Sequence, residues 1–182
     1  FDAFRQAHIG RPDAIQSTAV VTPPSVPANG MDTAVLNVAL IDWQGTQLPG
    51  PVNSVTVQHD TGSAGRSTIG PVQDNGDGTY TVVLTAGTRP GLDKFRVTAD
   101  DGVRPVVLMP SPQLDNTPVP GDFDGDGDVD LSDFTQFQLC FGGANNPPAP
   151  TCPPGVNADL DDDGDVDLAD FLIFQQNFTG SL

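Results

Sequence analysis

Aspartates written twice in the same order carry the chemistry of this chain. Asp122, Asp124, Asp126, Asp128, Asp130 and Asp133 recur 37 residues later as Asp159, Asp161, Asp163, Asp165, Asp167 and Asp170. A hard divalent cation of calcium's size gathers about six to eight oxygens from one short curled loop, supplied by loop positions 1, 3, 5, 7, 9 and 12. The first, second and third aspartates of each copy (Asp122, Asp124, Asp126; Asp159, Asp161, Asp163) are expected to ligate by side chain. Asp128 and Asp165 use the backbone carbonyl, Asp130 and Asp167 bind directly or through water, and Asp133 and Asp170 bind with both carboxylate oxygens. Gly127 and Gly164 fall at position 6, where the loop turns through positive φ. Val129 and Val166 fall at position 8 and are expected to pair with each other as a short bridge and enter the core. The competing reading is a solvated acidic, Gly-rich linker. Repetition at every ligand position, with an apolar helix after each copy, favours two Ca2+ ions.

The elements that position these loops are equally periodic. Phe134, Phe137 and Phe141 follow the first copy, and Phe171, Phe174 and Phe178 follow the second, each at helical i, i+3, i+7 spacing. Leu131 and Leu168 extend the stripes backward. No helix enters either loop, because Pro118 and Pro120 precede the first, and Pro147, Pro148, Pro150, Pro153 and Pro154 crowd the approach to the second. Residues 121–182 therefore resemble a dockerin, a small α domain of two calcium loop–helix repeats related by a pseudo-twofold axis. That resemblance implies docking onto a protein partner, a cohesin-like domain in the family. Leu131-Ser132 and Leu168-Ala169 stand at loop positions 10 and 11, where many dockerins place small polar partner contacts.

All 24 acidic residues are aspartate. Residues 121–182 hold 13 of them and no Lys or Arg, whereas residues 1–120 set 11 Asp against 7 basic residues. Such a tail repels itself, so metal binding and tail folding are expected to be one event. At a net charge of −17 and without a basic patch, nucleic acid is not the expected partner. The two cysteines, Cys140 and Cys152, bracket the connection between the repeats. A disulfide between them would close a short loop and stabilise by roughly 3 kcal/mol; two free thiols are the alternative. A calcium module with a disulfide points outside the cytoplasm, to a secreted or cell-surface location. No segment reaches the roughly 20 apolar residues of a membrane span, so direct membrane insertion is not expected. The start at Phe1-Asp2 reads as a processed product or as a piece of something larger.

From residue 15 to residue 110 the pattern changes to period two. Leu36, Val38 and Leu40, then Val55 and Val57, then Tyr80, Val82 and Leu84, then Phe95, Val97 and Ala99 alternate with their neighbours, as half-buried strands do. Val103 to Leu108, interrupted by Pro105, suits an edge strand. Turn signals about every ten residues predict an antiparallel β-sandwich. Asp74-Asn75-Gly76-Asp77-Gly78 is expected to be a hairpin turn and not a third cation loop. Ser25 to Gly30, Asp42-Trp43-Gln44-Gly45 and Asp74 to Thr81 resemble the bacterial immunoglobulin-like repeats of invasin and intimin type. The resemblance implies a spacer or adhesive module with no chemistry of its own. Trp43 is expected in the core or at a sheet edge.

The expected organisation is multidomain. Residues 1–14 form an arm or leader, in which Phe1, Phe4 and His8 share a helical face or fill a groove in a neighbour. Residues 15–110 form the all-β immunoglobulin-like sandwich, 111–120 a semi-rigid linker, and 121–182 the dockerin-like domain. His8, His59 and Lys94 assemble with no nucleophile, so catalysis is not expected. Asn177-Phe178-Thr179 fits a glycosylation acceptor. The functional expectation is an extracellular calcium-binding structural or adhesion protein that assembles with its own copies into a filament or surface layer. The alternative is the cohesin-docking attachment region of a larger secreted glycoside hydrolase.

Overall fold

Period-two alternation becomes nine strands in the computed structural model, which describes residues 9–50, 52 and 54–180. They are β1 (Thr18–Thr22), β2 (Ser25–Pro27), β3 (Thr33–Ala39), β4 (Ser54–His59), β5 (Thr68–Asp74), β6 (Thr79–Thr85), β7 (Gly91–Asp100), β8 (Pro105–Val107) and β9 (Gln113–Thr117). Two helices follow, α1 (Leu131–Cys140) and α2 (Leu168–Asn177). One sheet has the order β1-β3-β6-β5 and the other β2-β9-β7-β4, with β8 added beside β7. All pairings are antiparallel except β2 with β9, which run parallel.

The inward face of each strand fills a single core. Leu36, Leu84, Phe95, Val97 and Leu114 are fully buried there, joined by Leu40, Val82 and Tyr80. The hairpin turn between β5 and β6 forms as expected, with Gly76 and Gly78 at positive φ and the Asn75 amide donating to the Thr79 carbonyl at 3.1 Å. Val103 to Leu108 contributes β8, an edge strand that pairs only with β7. Trp43 is half-buried.

Two boundaries differ from the sequence expectation. Residues 111–120 are not a linker: β9 lies within them and is an interior strand, hydrogen-bonded to β7 on one side and β2 on the other. Its inward residues are Leu114 and Asn116, and Asn116 is held by hydrogen bonds in place of apolar contact. At the other end the sandwich reaches into the arm. Gly10 N–H donates to Asp42, Arg11 pairs with Asp101 at 2.5 Å, and the Asp13 amide donates to the Ile41 carbonyl at 2.9 Å. Phe1, Phe4 and His8 lie outside the described residues.

A second, separate core lies between α1 and α2. Val129, Phe137, Cys140, Ala158, Val166 and Phe174 are buried in it. Phe137 and Phe174 meet with ring centroids 5.6 Å apart, and Phe134 lies 5.9 Å from both Phe171 and Phe174. Phe141 and Phe178 cap the helices and stay 41% and 44% exposed. Leu131 and Leu168 do not continue the buried stripe; they are 69% and 67% exposed. At about 100° per residue, a side chain six positions before Phe137 or Phe174 points about 120° away from the buried direction. Cys140 and Cys152 form a disulfide across the inter-repeat connection.

Candidate metal centre: two aspartate cradles

Each loop is organised around its last aspartate. Asp133 is completely buried and its carboxylate accepts three backbone amides: Phe123 at 2.6 Å, Asp124 at 3.2 Å and Asp130 at 2.9 Å. Asp170 repeats this set with Leu160 at 2.6 Å, Asp161 at 3.2 Å and Asp167 at 2.8 Å. Asp130 and Asp167 are the N-caps of α1 and α2, accepting from the amides of Ser132 and Ala169. Position 12 thus also closes a capping box, which satisfies helix-terminal amides that have no intrahelical partner. The first aspartate curls the loop: Asp122 accepts from Gly125 and Gly127, and Asp159 from Asp163 and Gly164. Gly127 and Gly164 adopt φ of 100° and 95°, the backbone expected at position 6.

Five of the six aspartates in each copy converge. Carboxylate oxygens of Asp122, Asp124 and Asp133 lie within 4.8 Å of one another, as do those of Asp128, Asp130 and Asp133. The second copy matches, with Asp159, Asp161 and Asp170 and with Asp165, Asp167 and Asp170. Asp126 and Asp163 belong to neither group; they accept the amides of Asp128 and Asp165 two residues on. Asp128 and Asp165, read from sequence as carbonyl ligands, are buried and bring their side chains into the groups.

Burial and mutual repulsion act together on the cradle carboxylates. Burial raises the pKa of Asp122 above the ordinary carboxylate value, with Asp133 and Asp126 adding repulsion against the opposing amides of Gly125 and Gly127. Asp124 is raised by desolvation and then by Asp133 and Asp126, and Asp161 by desolvation and then by Asp163 and Asp170. Asp165 accepts from the Asn145 amide through Oδ2, while its buried Oδ1 has no hydrogen-bond partner. A buried carboxylate is stabilised by hydrogen bonds, by a counter-charge or by a metal ion. The two ion pairs among the described residues, Arg11–Asp101 and Arg96–Asp60, both lie in the sandwich. The donor set is all oxygen, which suits Ca2+ over softer metals.

The repeats are locked reciprocally. The expected Val129–Val166 bridge is not formed, although both valines are fully buried. The Val129 carbonyl instead accepts the amides of Thr179 and Gly180 beyond α2, and the Val166 carbonyl accepts those of Gly142 and Gly143 beyond α1. Thr179, the third residue of the glycosylation pattern, also accepts the Val129 amide through its hydroxyl. The pseudo-symmetry continues on the surface as two apolar grooves. One, of about 370 Å³, is lined by Phe134, Phe137, Gln138, Phe141 and Phe171. The other, of about 320 Å³, is lined by the equivalent Phe171, Phe174, Gln175, Phe178 and Phe134, together with Leu131.

The sandwich holds one polar centre that sequence reasoning missed. Asp93 is fully buried and accepts from Ser67 Oγ, the Ser67 and Arg66 amides, Ser63 Oγ and Asn116. Burial pushes its carboxyl up, but the hydrogen bonds from Ser67 and Arg66 outweigh this and hold it below the ordinary value. His59 bonds Ser63 and the Ser67 carbonyl. Ser63 lies between His59 and Asp93, so the imidazole receives no orienting carboxylate and the order needed to activate a hydroxyl is absent. Asp93 ties the loop before β5 to β7 and β9. Its signal was parity, since it shares the inward phase of Phe95 and Val97.

A two-sheet sandwich with its own core, followed by two helices and duplicated acidic loops, is the architecture of an immunoglobulin-like module with an appended tail. Residues 13–105 match the family described as invasin, domain 3, which is just over half of the chain, and the chain belongs to that family. Among solved structures, the adhesin InvE of Yersinia pseudotuberculosis is 31% identical over 58% of this chain and 27% of that chain, with a TM-score of 0.45. InvD of the same organism is 28% identical over 56% of this chain and 27% of that chain, with a TM-score of 0.43. Invasin, described as a bacterial integrin-binding protein, is 27% identical over 58% of this chain and 19% of that chain, with a TM-score of 0.44. The chain therefore spans about a quarter or less of these proteins. No curated protein matches it. No helix among the described residues is long and apolar enough to cross a membrane.

Proposed function

We propose that this chain is an extracellular, calcium-stabilised module for protein–protein assembly. Its sandwich acts as an adhesin-type spacer, and residues 121–182 act as a dockerin-like domain that attaches it to a protein partner. One observation carries the reading: Asp133 and Asp170, both fully buried, each lie at the centre of a cluster of carboxylates in a segment without Lys or Arg. Asp122, Asp124, Asp126, Asp128, Asp130 and Asp133 would hold one Ca2+, and Asp159, Asp161, Asp163, Asp165, Asp167 and Asp170 the other. The ion supplies positive charge that offsets carboxylate repulsion; the protein supplies the curled loop and the helix caps. The exposed side chains of α1 and α2, among them Leu131, Leu139, Leu168 and Leu172, together with the two grooves, are the docking surface. The partner is another copy in a filament or surface layer.

Calorimetric titration of the chelator-treated chain tests the metal: two calcium ions per chain are expected, and none bound would refute the reading. Electron microscopy with and without calcium tests the partner. Ordered polymers that dissolve in chelator are the expected result. A monomer that captures a cohesin-bearing protein refutes self-assembly and returns the chain to the role of an attachment region.

A further inference from the structure

The two acidic loops are near-copies in sequence, yet they face different surroundings. Gly164 is exposed, and a Cβ built there would meet nothing within 4 Å. Gly127, its equivalent, is buried, and a Cβ there would lie 2.7 Å from Thr88 Cβ and 2.9 Å from Thr88 Cα. Thr88 belongs to the sandwich, in the turn between β6 and β7. The first loop therefore rests on the sandwich through a bare glycine, and the second does not.

The surface beneath Gly127 is firmly held. The Gly87 amide donates to Asn116 of β9 at 3.0 Å, and the Gly87 carbonyl accepts from Gly30 at 3.1 Å. Asn116 in turn bonds the buried Asp93 at 3.2 Å. The covalent connection is equally short. Thr117 ends β9, bonded to Val26 and Ala28, while Val119 already packs in the helical core. Pro118 alone separates them. Pro120 then fixes another φ, and Gly121 packs so closely that a Cβ would lie 3.1 Å from the Phe174 ring. Two attachments, one through the chain and one through Gly127, restrict the sandwich and the helical pair to one relative orientation.

We infer that the first loop is also the joint between the two units: an ion at residues 122–133 stiffens the seat of Gly127 on Thr88, whereas an ion at 159–170 serves the helical pair alone. The inference rests on the calcium reading above, and goes beyond it by giving the two sites different work.

The test is backbone 15N relaxation of the full chain in calcium, with ion stoichiometry measured separately by titration. The wild type is expected to show one shared tumbling time for both units. Thr88→Trp drives a wedge under Gly127 without touching a ligand; two bound ions and two distinct tumbling times are expected. Asp124→Asn and Asp161→Asn each weaken one site, and only the first is expected to separate the tumbling times. Shared tumbling in Thr88→Trp, or separation by Asp161→Asn alone, overturns the joint. If either ligand variant loses its helical circular dichroism, Thr88→Trp decides. A wild type that binds no calcium overturns the metal reading itself, and with it the ion dependence of the joint.

Discussion

Replacing Phe174 with alanine converts the proposed coupling between ion binding and tail folding into a number. Phe174 is 2% exposed and lies at the centre of the second core, with ring neighbours Phe123, Phe134, Phe137 and Phe178 at 5.6–6.2 Å. Truncation of such a side chain costs about 4 kcal/mol, because the packed neighbours collapse only partly into the space. If two ions bind only the folded tail, each tenfold rise in free calcium returns about 1.4 kcal/mol per ion. Offsetting about 4 kcal/mol through two sites therefore takes about 1.5 decades of concentration, a shift of about 30-fold in the calcium needed for half-folding. Far-ultraviolet circular dichroism at 222 nm during a calcium titration reads the helices directly, since the sandwich contributes little there. The Phe174→Ala curve should keep its amplitude and move to higher calcium. A midpoint that stays in place, or helices that persist in chelator, would refute the linkage. Loss of the sandwich transition in the same variant would refute the independence of the two cores.

Three further outcomes follow from the same geometry. Reduction of Cys140–Cys152, or Cys152→Ser, should destabilise the helical pair by about 3 kcal/mol and leave the sandwich melting unchanged in calorimetry. Asp93→Ala should destabilise the sandwich by about 3 kcal/mol or more in denaturant titration, because the amides of Arg66 and Ser67 lose their buried acceptor. The hydrogen bond from Arg11 is the main cause that holds Asp101 down to about 2, against the burial that opposes it. The wild-type advantage over Arg11→Ala, about 1 kcal/mol for a partly exposed pair, should be present above pH about 4 and vanish as pH falls through about 2, as read by urea midpoints across pH.

The ladder of aspartates was legible because its carboxylates follow each other within twelve residues, so spacing alone encodes the curl. The strands β3, β4, β6 and the Phe95–Ala99 part of β7 were legible because their inward positions are apolar at period two. β9 was hidden for the converse reason: Gln113-Leu114-Asp115-Asn116-Thr117 offers one apolar inward residue and fills the other inward position with Asn116, whose place is secured by Asp93 and Ser67 from elsewhere in the chain. Its flanking prolines then resemble a linker. Long-range polar satisfaction leaves little local trace. The same applies to Val129 and Val166, whose burial was readable from position 8 while their hydrogen-bond partners, residues 142–143 and 179–180, are set by the fold as a whole.

That exchange of partners bears on how such a tail arises and is divided. Each half finishes the other's loop, so a gene encoding residues 121–150 alone would specify a peptide with the Val129 carbonyl and the Gly142 and Gly143 amides unpaired and half a core. The smallest unit with a closed core is the pair. Two separately made halves, mixed with metal, would be expected to find each other through the exchange at Val129 and Val166.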